Sequence, residues 1–290
     1  MSQGGRQNYE LVSKLGKGAG GTVYKAIRKS DNKTIALKII DALPDSTSYK
    51  NAIQEIKVLK EIAGPNCHPN LACYYDHSYD PVKGEIYIEM EFIDGETLFD
   101  FAKKYRDEHP MKNYLLYKYL LLILKDILKG LLYIHDKNVL HNDIKPENIM
   151  IDKNLVPKLV DFGLSCDAHI CKMGTLCCSG FSGTPDFASP EMYSNEVRYP
   201  ASDIWSLGVT LYVMALGKYP FNYKPTEPTE PTKPYEPTIQ DIMLTVRDEN
   251  PEKLNTNNQF LNYIVNNSLI KIPEDRITAR QMDELLKNYK

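Results

Sequence analysis

The chain changes texture once, at Ile93-Asp94-Gly95, and that change limits it to two unlike halves joined by a short connection. Upstream, residues 11–15, 21–27 and 34–40 are β-branched or aromatic-rich runs separated by Gly-rich or Ser-Asp-Asn-Lys turns, which predicts strands. Ile53, Ile56, Leu59 and Ile62 then recur at roughly helical spacing across residues 49–63, and Gly64-Pro65 ends the run. Residues 72–75 and 85–92 predict two more strands. Downstream the spacing turns helical over residues 115–136 and 201–216, and more weakly over 239–247, 259–267 and 279–289. An α+β fold follows, with a small β-rich part carrying one helix, a larger mainly helical part, and a cleft where they meet.

At 290 residues, 42% hydrophobic and 25% charged, the chain can bury a core of that size. Its formal net charge of −3 creates no global field, so neither nucleic acid nor membrane is an expected partner. The longest apolar run, residues 119–124, meets Lys125 and Asp126, far short of the ~20 apolar residues of a spanning helix. The polar start, Met-Ser-Gln-Gly-Gly, lacks both a secretory core and the Met-Gly of N-myristoylation. A cytoplasmic protein with reduced thiols is therefore expected. Residues 224–238 repeat Pro-Thr-Glu and cannot donate the hydrogen bonds of helix or sheet. They predict an extended, solvated surface insertion, with a partner-docking site as the other reading.

Gly16-Lys17-Gly18-Ala19-Gly20-Gly21-Thr22-Val23 places glycines at 16, 18 and 21, where a hairpin can fold backbone N–H groups onto phosphates. A dinucleotide fingerprint uses the same glycine spacing but opens a helix, whereas Thr22-Val23-Tyr24 continues as a strand. Lys38 ends the apolar run Ile35-Ala36-Leu37, in place to pair with α- and β-phosphates. Its partner is expected on the following helix at Glu55, with Glu61 as the fallback. The most specific segment is His141-Asn142-Asp143-Ile144-Lys145-Pro146-Glu147-Asn148, followed by Asp161-Phe162-Gly163. Phosphoryl transfer needs a carboxylate to accept the proton of the attacking hydroxyl, a role that fits Asp143. It also needs oxygen ligands for Mg²⁺, which fits Asn148 and Asp161. Lys145 can neutralise charge on the transferring group.

On these motifs, residues 15–276, about nine-tenths of the chain, resemble the eukaryotic-type protein kinase family, serine/threonine class. The resemblance implies one bilobal kinase domain, with an N-terminal tail at 1–8, an N-lobe at 9–93 and a C-lobe at 94–290. It implies ATP and Mg²⁺ as cofactors and protein substrates bearing Ser or Thr. The nucleotide would be held by Leu15, Gly16, Lys17, Gly18, Ala19, Gly20, Gly21, Thr22 and Val23, with Ala36, Lys38, Glu55, Met90, Glu91, Ile93 and Met150. Val23, Ala36 and Met150 would sandwich the adenine, and Met90 would stand before a hinge of Glu91-Phe92-Ile93. His141, Phe162 and Leu59 would belong to a stacked apolar spine. Glu191 would pair with Arg276, and Asp203 would anchor the catalytic loop from a buried helix. Lys145, and Gly183-Thr184-Pro185 ahead of Ser189-Pro190-Glu191, resemble the Ser/Thr class. Glu147 resembles an arginine-binding position of basophilic kinases, but Thr97 and Val213 lack the acidic groups such kinases often add. Asn142 stands where the family has an arginine that grips a phosphate on the activation segment, residues 161–191. Asparagine carries no charge, so activity is expected not to depend strongly on that phosphorylation.

Among six cysteines, Cys166, Cys171, Cys177 and Cys178 cluster in the same segment. Their irregular spacing favours free loop thiols, with a zinc clip, a redox switch or another regulator acting there as the alternatives. Two other functions compete with catalysis on proteins. A pseudokinase scaffold would have lost Lys38, Asp143 or Asp161, all of which are present. A small-molecule phosphotransferase would lack the Thr184-Pro185 and Ser189-Pro190-Glu191 features.

Overall fold

Backbone pairing gathers six strands of the first half into one sheet, in the order β1-β5-β6-β4-β3-β2. The computed structural model describes residues 2–18, 20–64, 66–109, 113–167, 183–194, 199–225 and 235–289. The strands are β1 (Ser2–Gln3), β2 (Tyr9–Gly18), β3 (Gly21–Arg28), β4 (Lys33–Asp41), β5 (Tyr74–Asp80) and β6 (Glu85–Glu91). All pair antiparallel except β1, which runs parallel to β5. The register sets Val23 opposite Lys38 and Ala36 opposite Met90. Four positions expected to meet the nucleotide thus lie close together on three neighbouring strands.

Two expectations shift here. Residues 1–8 are not a simple tail, because Ser2–Gln3 pairs with Ser78 and Tyr79 at the sheet edge and Arg6–Asn8 forms a 3₁₀ turn. Backbone hydrogen bonds make that strand, so no apolar pattern announces it. The strand expected at 72–75 runs instead from Tyr74 to Asp80. Its sequence is polar because most of its side chains are only half-buried near the sheet edge.

Helix α1 (Thr47–Ala63) begins where the Ser46 hydroxyl accepts the Tyr49 N–H, a favoured N-cap, and ends at Gly64 with φ 56°. It buries Ala52, Ile56, Val58, Leu59 and Ile62 against the sheet, and Glu55 with them. The loop that follows is tied down by His68, whose ring stacks on Tyr133 at 4.9 Å, and by Asn70, whose Nδ2 donates to the Pro157 carbonyl at 2.9 Å. A turn at His68–Leu71 brings Cys67 and Cys73 to a Cα separation of 5.4 Å, within bridging range, and the structure joins them in a disulfide. This corrects the expectation of reduced thiols for that pair.

The second half contains α2 (Leu98–Glu108), α3 (Asn113–Asp136), α4 (Pro190–Tyr193), α5 (Pro200–Leu216), α6 (Ile239–Asp248), α7 (Gln259–Ser268) and α8 (Ala279–Asn288). Short strands β7 (Gly95–Thr97), β9 (Ile149–Asp152) and β10 (Pro157–Leu159) form one small sheet, and β8 (Val139–Leu140) pairs with β11 (Cys166–Asp167). α5 is apolar on every side and buried from Ser202 to Ala215, the mark of a helix at the centre of a domain. One continuous core runs from Ile40 and α1 through α3 and α5 to Leu286 of α8. Among the described residues no helix is long and apolar enough to cross a membrane. Of the Pro-Thr-Glu repeat, residues 226–234 lie outside the described residues. Its last residue, Thr238, caps α6 by accepting the Asp241 N–H while the Asp241 carboxylate accepts the Thr238 N–H.

Candidate active site

The glycine hairpin closes with Gly16 opposite Val23, Lys17 opposite Thr22 and Gly18 opposite Gly21. Gly21 has φ 124°, and a Cβ there would lie 2.5 Å from the Ile39 carbonyl oxygen, so only glycine fits. A Cβ on Gly20 would lie 3.3 Å from Lys38 Nζ, which shows the hairpin tip folded down over the lysine. Leu15 is half-exposed, Gly16 to Gly18 are exposed, and Ala19 lies outside the described residues.

Lys38 Nζ donates to Glu55 Oε1 at 2.7 Å and to Asp161 Oδ1 at 3.2 Å. Burial disfavours this ammonium, but the two carboxylates outweigh it and hold the lysine above its usual range, hence charged. Glu61, the fallback partner, is exposed and takes no part. Asp161 has φ 59°, and its Oδ1 also accepts the Gly163 N–H at 3.3 Å. Burial of its surroundings works against ionisation, yet Lys38 keeps its carboxyl below the ordinary value.

The other half of the site is the loop after β8. Asp143 is buried, and its Oδ1 accepts the Thr184 N–H at 3.0 Å and the Thr184 hydroxyl at 2.8 Å. Asp143 Oδ2 accepts Asn148 Nδ2 at 2.8 Å and lies 3.0 Å from Lys145 Nζ, which also donates to Thr184 Oγ1 at 2.6 Å. His141 Nδ1 accepts the Asp143 N–H at 3.3 Å, which leaves Nε2 to donate to the Val160 carbonyl at 3.1 Å and fixes the tautomer. Its ring packs on Phe162 at 4.9 Å, and Phe162 shares the core with Leu59. With the Asn148 nitrogen committed to Asp143, its oxygen is the atom free for a hard cation. Asp161, with 53% of its side chain exposed, offers a carboxylate beside it. One amide oxygen and one carboxylate suit Mg²⁺, which keeps several waters and takes its other ligands from phosphates.

Asp203 on α5 holds this loop from below, since Oδ2 accepts the His141 N–H at 2.9 Å and Oδ1 the Asn142 N–H at 2.9 Å. His135 Nε2 lies 2.8 Å from the same Oδ2. That histidine was not anticipated, because a lone His near a helix end carries no sequence signal. Complete burial opposes the Asp203 charge, but His135 and the two backbone donors hold its pKa below the usual carboxylate value. Glu191, buried against Arg276, is lowered in the same way. A depressed native pKa gives stability that is complete above the unfolded value near 4 and is lost as pH falls through the native value. Urea midpoints should therefore hold steady from neutral pH down to about 5 as far as these two groups are concerned, and drop below about 4. Asp203→Asn should lower the neutral midpoint and flatten the acid limb. An acid limb identical to wild type would show that Asp203 contributes nothing to it.

Along the cleft, Glu91 N–H donates to the Cys73 carbonyl at 2.8 Å, and its carboxylate pairs with Lys158 at 3.0 Å. Met90 is partly buried against the core, Ile93 is buried, and Met150 lies on β9 opposite Thr97 and Lys158. Among the clustered cysteines only Cys166 is described, and it is disulfide-bonded, which corrects the expectation of a free loop thiol there; the readings of Cys171, Cys177 and Cys178 lie outside the described residues.

The sequence pattern of the protein kinase domain matches residues 9–286. The chain is 33% identical over 216 residues to the MAP kinase kinase MKK1/SSP32 of Saccharomyces cerevisiae, covering 74% of this chain and 40% of that protein. It is 29% identical over 278 residues to mitogen-activated protein kinase kinase 2 of Arabidopsis thaliana, covering 95% and 70%. It is 31% identical over 211 residues to mitogen-activated protein kinase kinase kinase 3 of the same plant, covering 72% and 32%. The chain thus spans less than half of two of these three relatives.

Proposed function

We propose that this chain, which belongs to the protein kinase family, transfers the γ-phosphoryl group of Mg-ATP to Ser or Thr hydroxyls of proteins. The observation that carries the reading is the Asp143, Lys145, Thr184 and Asn148 cluster, set in the same cleft as the Lys38–Glu55–Asp161 chain.

Asp143 orients the incoming hydroxyl and takes its proton, while Lys145, charged and within reach of Asp143, offsets negative charge that develops at the acceptor. Thr184 holds both groups in register through one hydroxyl. Lys38, fixed by Glu55, presents its ammonium beneath the glycine hairpin, where nucleotide phosphates would bind. Asn148 and Asp161 would hold a Mg²⁺ ion, which would supply neutralisation of the phosphate charge. Leu15, Val23, Ala36, Met90, Glu91, Ile93 and Met150 would enclose the adenine. A pseudokinase scaffold is disfavoured, because Lys38, Asp143, Asn148 and Asp161 are all present, with Lys38 bonded to Asp161 and Asn148 to Asp143.

The relatives are kinases from two tiers of one type of cascade, so they support protein substrates without choosing a tier. The direct test is transfer of labelled γ-phosphate from Mg-ATP to a general basic protein by wild type and Lys38→Met. Phosphoserine or phosphothreonine from wild type, and at least a hundredfold less from the variant, is expected on the general scale of such electrostatic groups. Transfer undiminished in Lys38→Met would refute the assigned site, and transfer only to small alcohols would favour the phosphotransferase alternative.

A further inference from the structure

Asn142 occupies a position where its side chain and backbone touch the segment 161–191 just after its start and again at Gly183. Its Nδ2 donates to the Leu164 carbonyl at 3.0 Å and to Cys166 Sγ at 3.2 Å, just after Asp161-Phe162-Gly163. Farther along, Gly183 packs so closely that a Cβ there would lie 2.9 Å from the Asn142 carbonyl oxygen. Gly183 precedes Thr184, whose hydroxyl holds Asp143 and Lys145.

The residue type suits the backbone. Asn142 has φ 64°, in the left-handed region that asparagine tolerates better than most side chains. The Asp203 carboxylate pins its N–H in that conformation. The side chain is almost wholly buried, and its amide can satisfy a backbone carbonyl there at no cost of charge burial. Neighbouring bonds lay the same stretch along the catalytic loop: β11 pairs with β8 in the register Cys166 to Leu140, and Ser165 Oγ donates to the His141 carbonyl at 3.1 Å.

We infer that Asn142 is a positioning residue that fastens the activation segment to the catalytic loop through neutral hydrogen bonds, so that Asp161 and Thr184 are set for transfer without a phosphate. The inference rests on the kinase reading above and gives its expected phosphate independence a physical cause. Loss of the amide lets the stretch after Gly163 drift, and a shift of about 1 Å in a positioned group can cost on the order of a hundredfold in rate.

Two variants separate this from a packing role. Asn142→Asp keeps size and tolerance of the left-handed conformation but replaces the donor with an acceptor. Asn142→Gly keeps the conformation and removes the side chain without adding charge. Each should lower kcat at least about tenfold with KM for ATP within about twofold of wild type, and phosphatase treatment should leave wild-type kcat unchanged. Hydrogen exchange at residues 164–167 needs no turnover and should accelerate in both variants. The inference is overturned if both variants keep wild-type kcat, if dephosphorylated wild type loses most of its activity, or if exchange at 164–167 is unchanged. Absence of transfer by wild type would instead refute the kinase reading, and the exchange measurement would still decide whether the amide fastens the segment.

Discussion

Asp143→Asn lowers kcat by about 10²–10⁴-fold, the usual worth of a positioned general base, while ATP affinity stays near that of wild type. The expectation follows from what the carboxylate touches. Both Thr184 donors reach Oδ1, and Asn148 and Lys145 converge on Oδ2, so the group is oriented from two sides. Nothing in that set contacts Lys38 or the glycine hairpin, where nucleotide binding is assigned. The asparagine variant retains an oxygen for the Thr184 donors but turns an amide N–H toward Asn148 Nδ2 and Lys145, so the proton acceptor and the Oδ2 contacts are lost together while the Lys38 side of the site is left unchanged. Steady-state kcat and an independent ATP titration check the split. A variant keeping more than about a tenth of wild-type kcat would show that Asp143 orients the site and does no proton transfer.

Much of this site was legible because its groups break local patterns in the sequence. Glu55 is the clearest case. Ala52, Glu55, Ile56, Leu59 and Ile62 occupy one helical face, so a carboxylate stands in an apolar stripe and needs a buried cation. Lys38 is a charge within an apolar strand, and the two find each other at 2.7 Å. Gly21 was readable as a hairpin glycine because the residues after it continue as a strand, and the Ile39 carbonyl packed against it supplies the physical requirement. What stayed hidden depends on long-range or backbone-only contacts. His135 reaches Asp203 from 68 residues away, and neither residue's neighbours advertise the pairing. The edge strand β1 rests on main-chain pairing, to which side-chain periodicity is blind. The spacing of Cys67 and Cys73 does not encode the turn that brings them to 5.4 Å. Helix α2 does carry Leu98, Phe101, Ala102 and Tyr105 at helical spacing, but charged residues crowd its later turns. Only Leu98 and Ala102 of that face are fully buried, too short a stripe to stand out in the sequence.

Arg276→Met should destabilise the fold by about 3–5 kcal/mol, the cost of stranding one member of a buried ion pair. The Arg276 and Glu191 side chains are 0% and 2% exposed, and they meet through two parallel bonds of 2.6 and 2.7 Å. Arg276 also donates to the carbonyls of Ala201, Ile270 and Lys271, so one guanidinium joins α4, the start of α5 and the loop before α8. Its cation lies 4.9 Å from the Trp205 ring, which adds contact that methionine only partly replaces. The Glu191 carboxylate left behind retains neutral partners such as the Ser202 hydroxyl, too little to compensate a buried charge. The paired variant Glu191→Met, Arg276→Met should therefore recover a large part of the loss, since removing both charges spares the desolvation that removing one exposes. Urea midpoints of the wild type, the two single variants and the double variant close that cycle, and additive losses would mean that the pair is not coupled. The damage should also reach catalysis. Ser206 of α5 holds the Phe187 carbonyl at 2.8 Å, and Phe187 ends the turn that starts after Thr184. Loosening α5 at its first turn therefore loosens the grip on Asp143, so the single variant should lose kcat below its unfolding temperature, while the double variant regains stability before it regains rate.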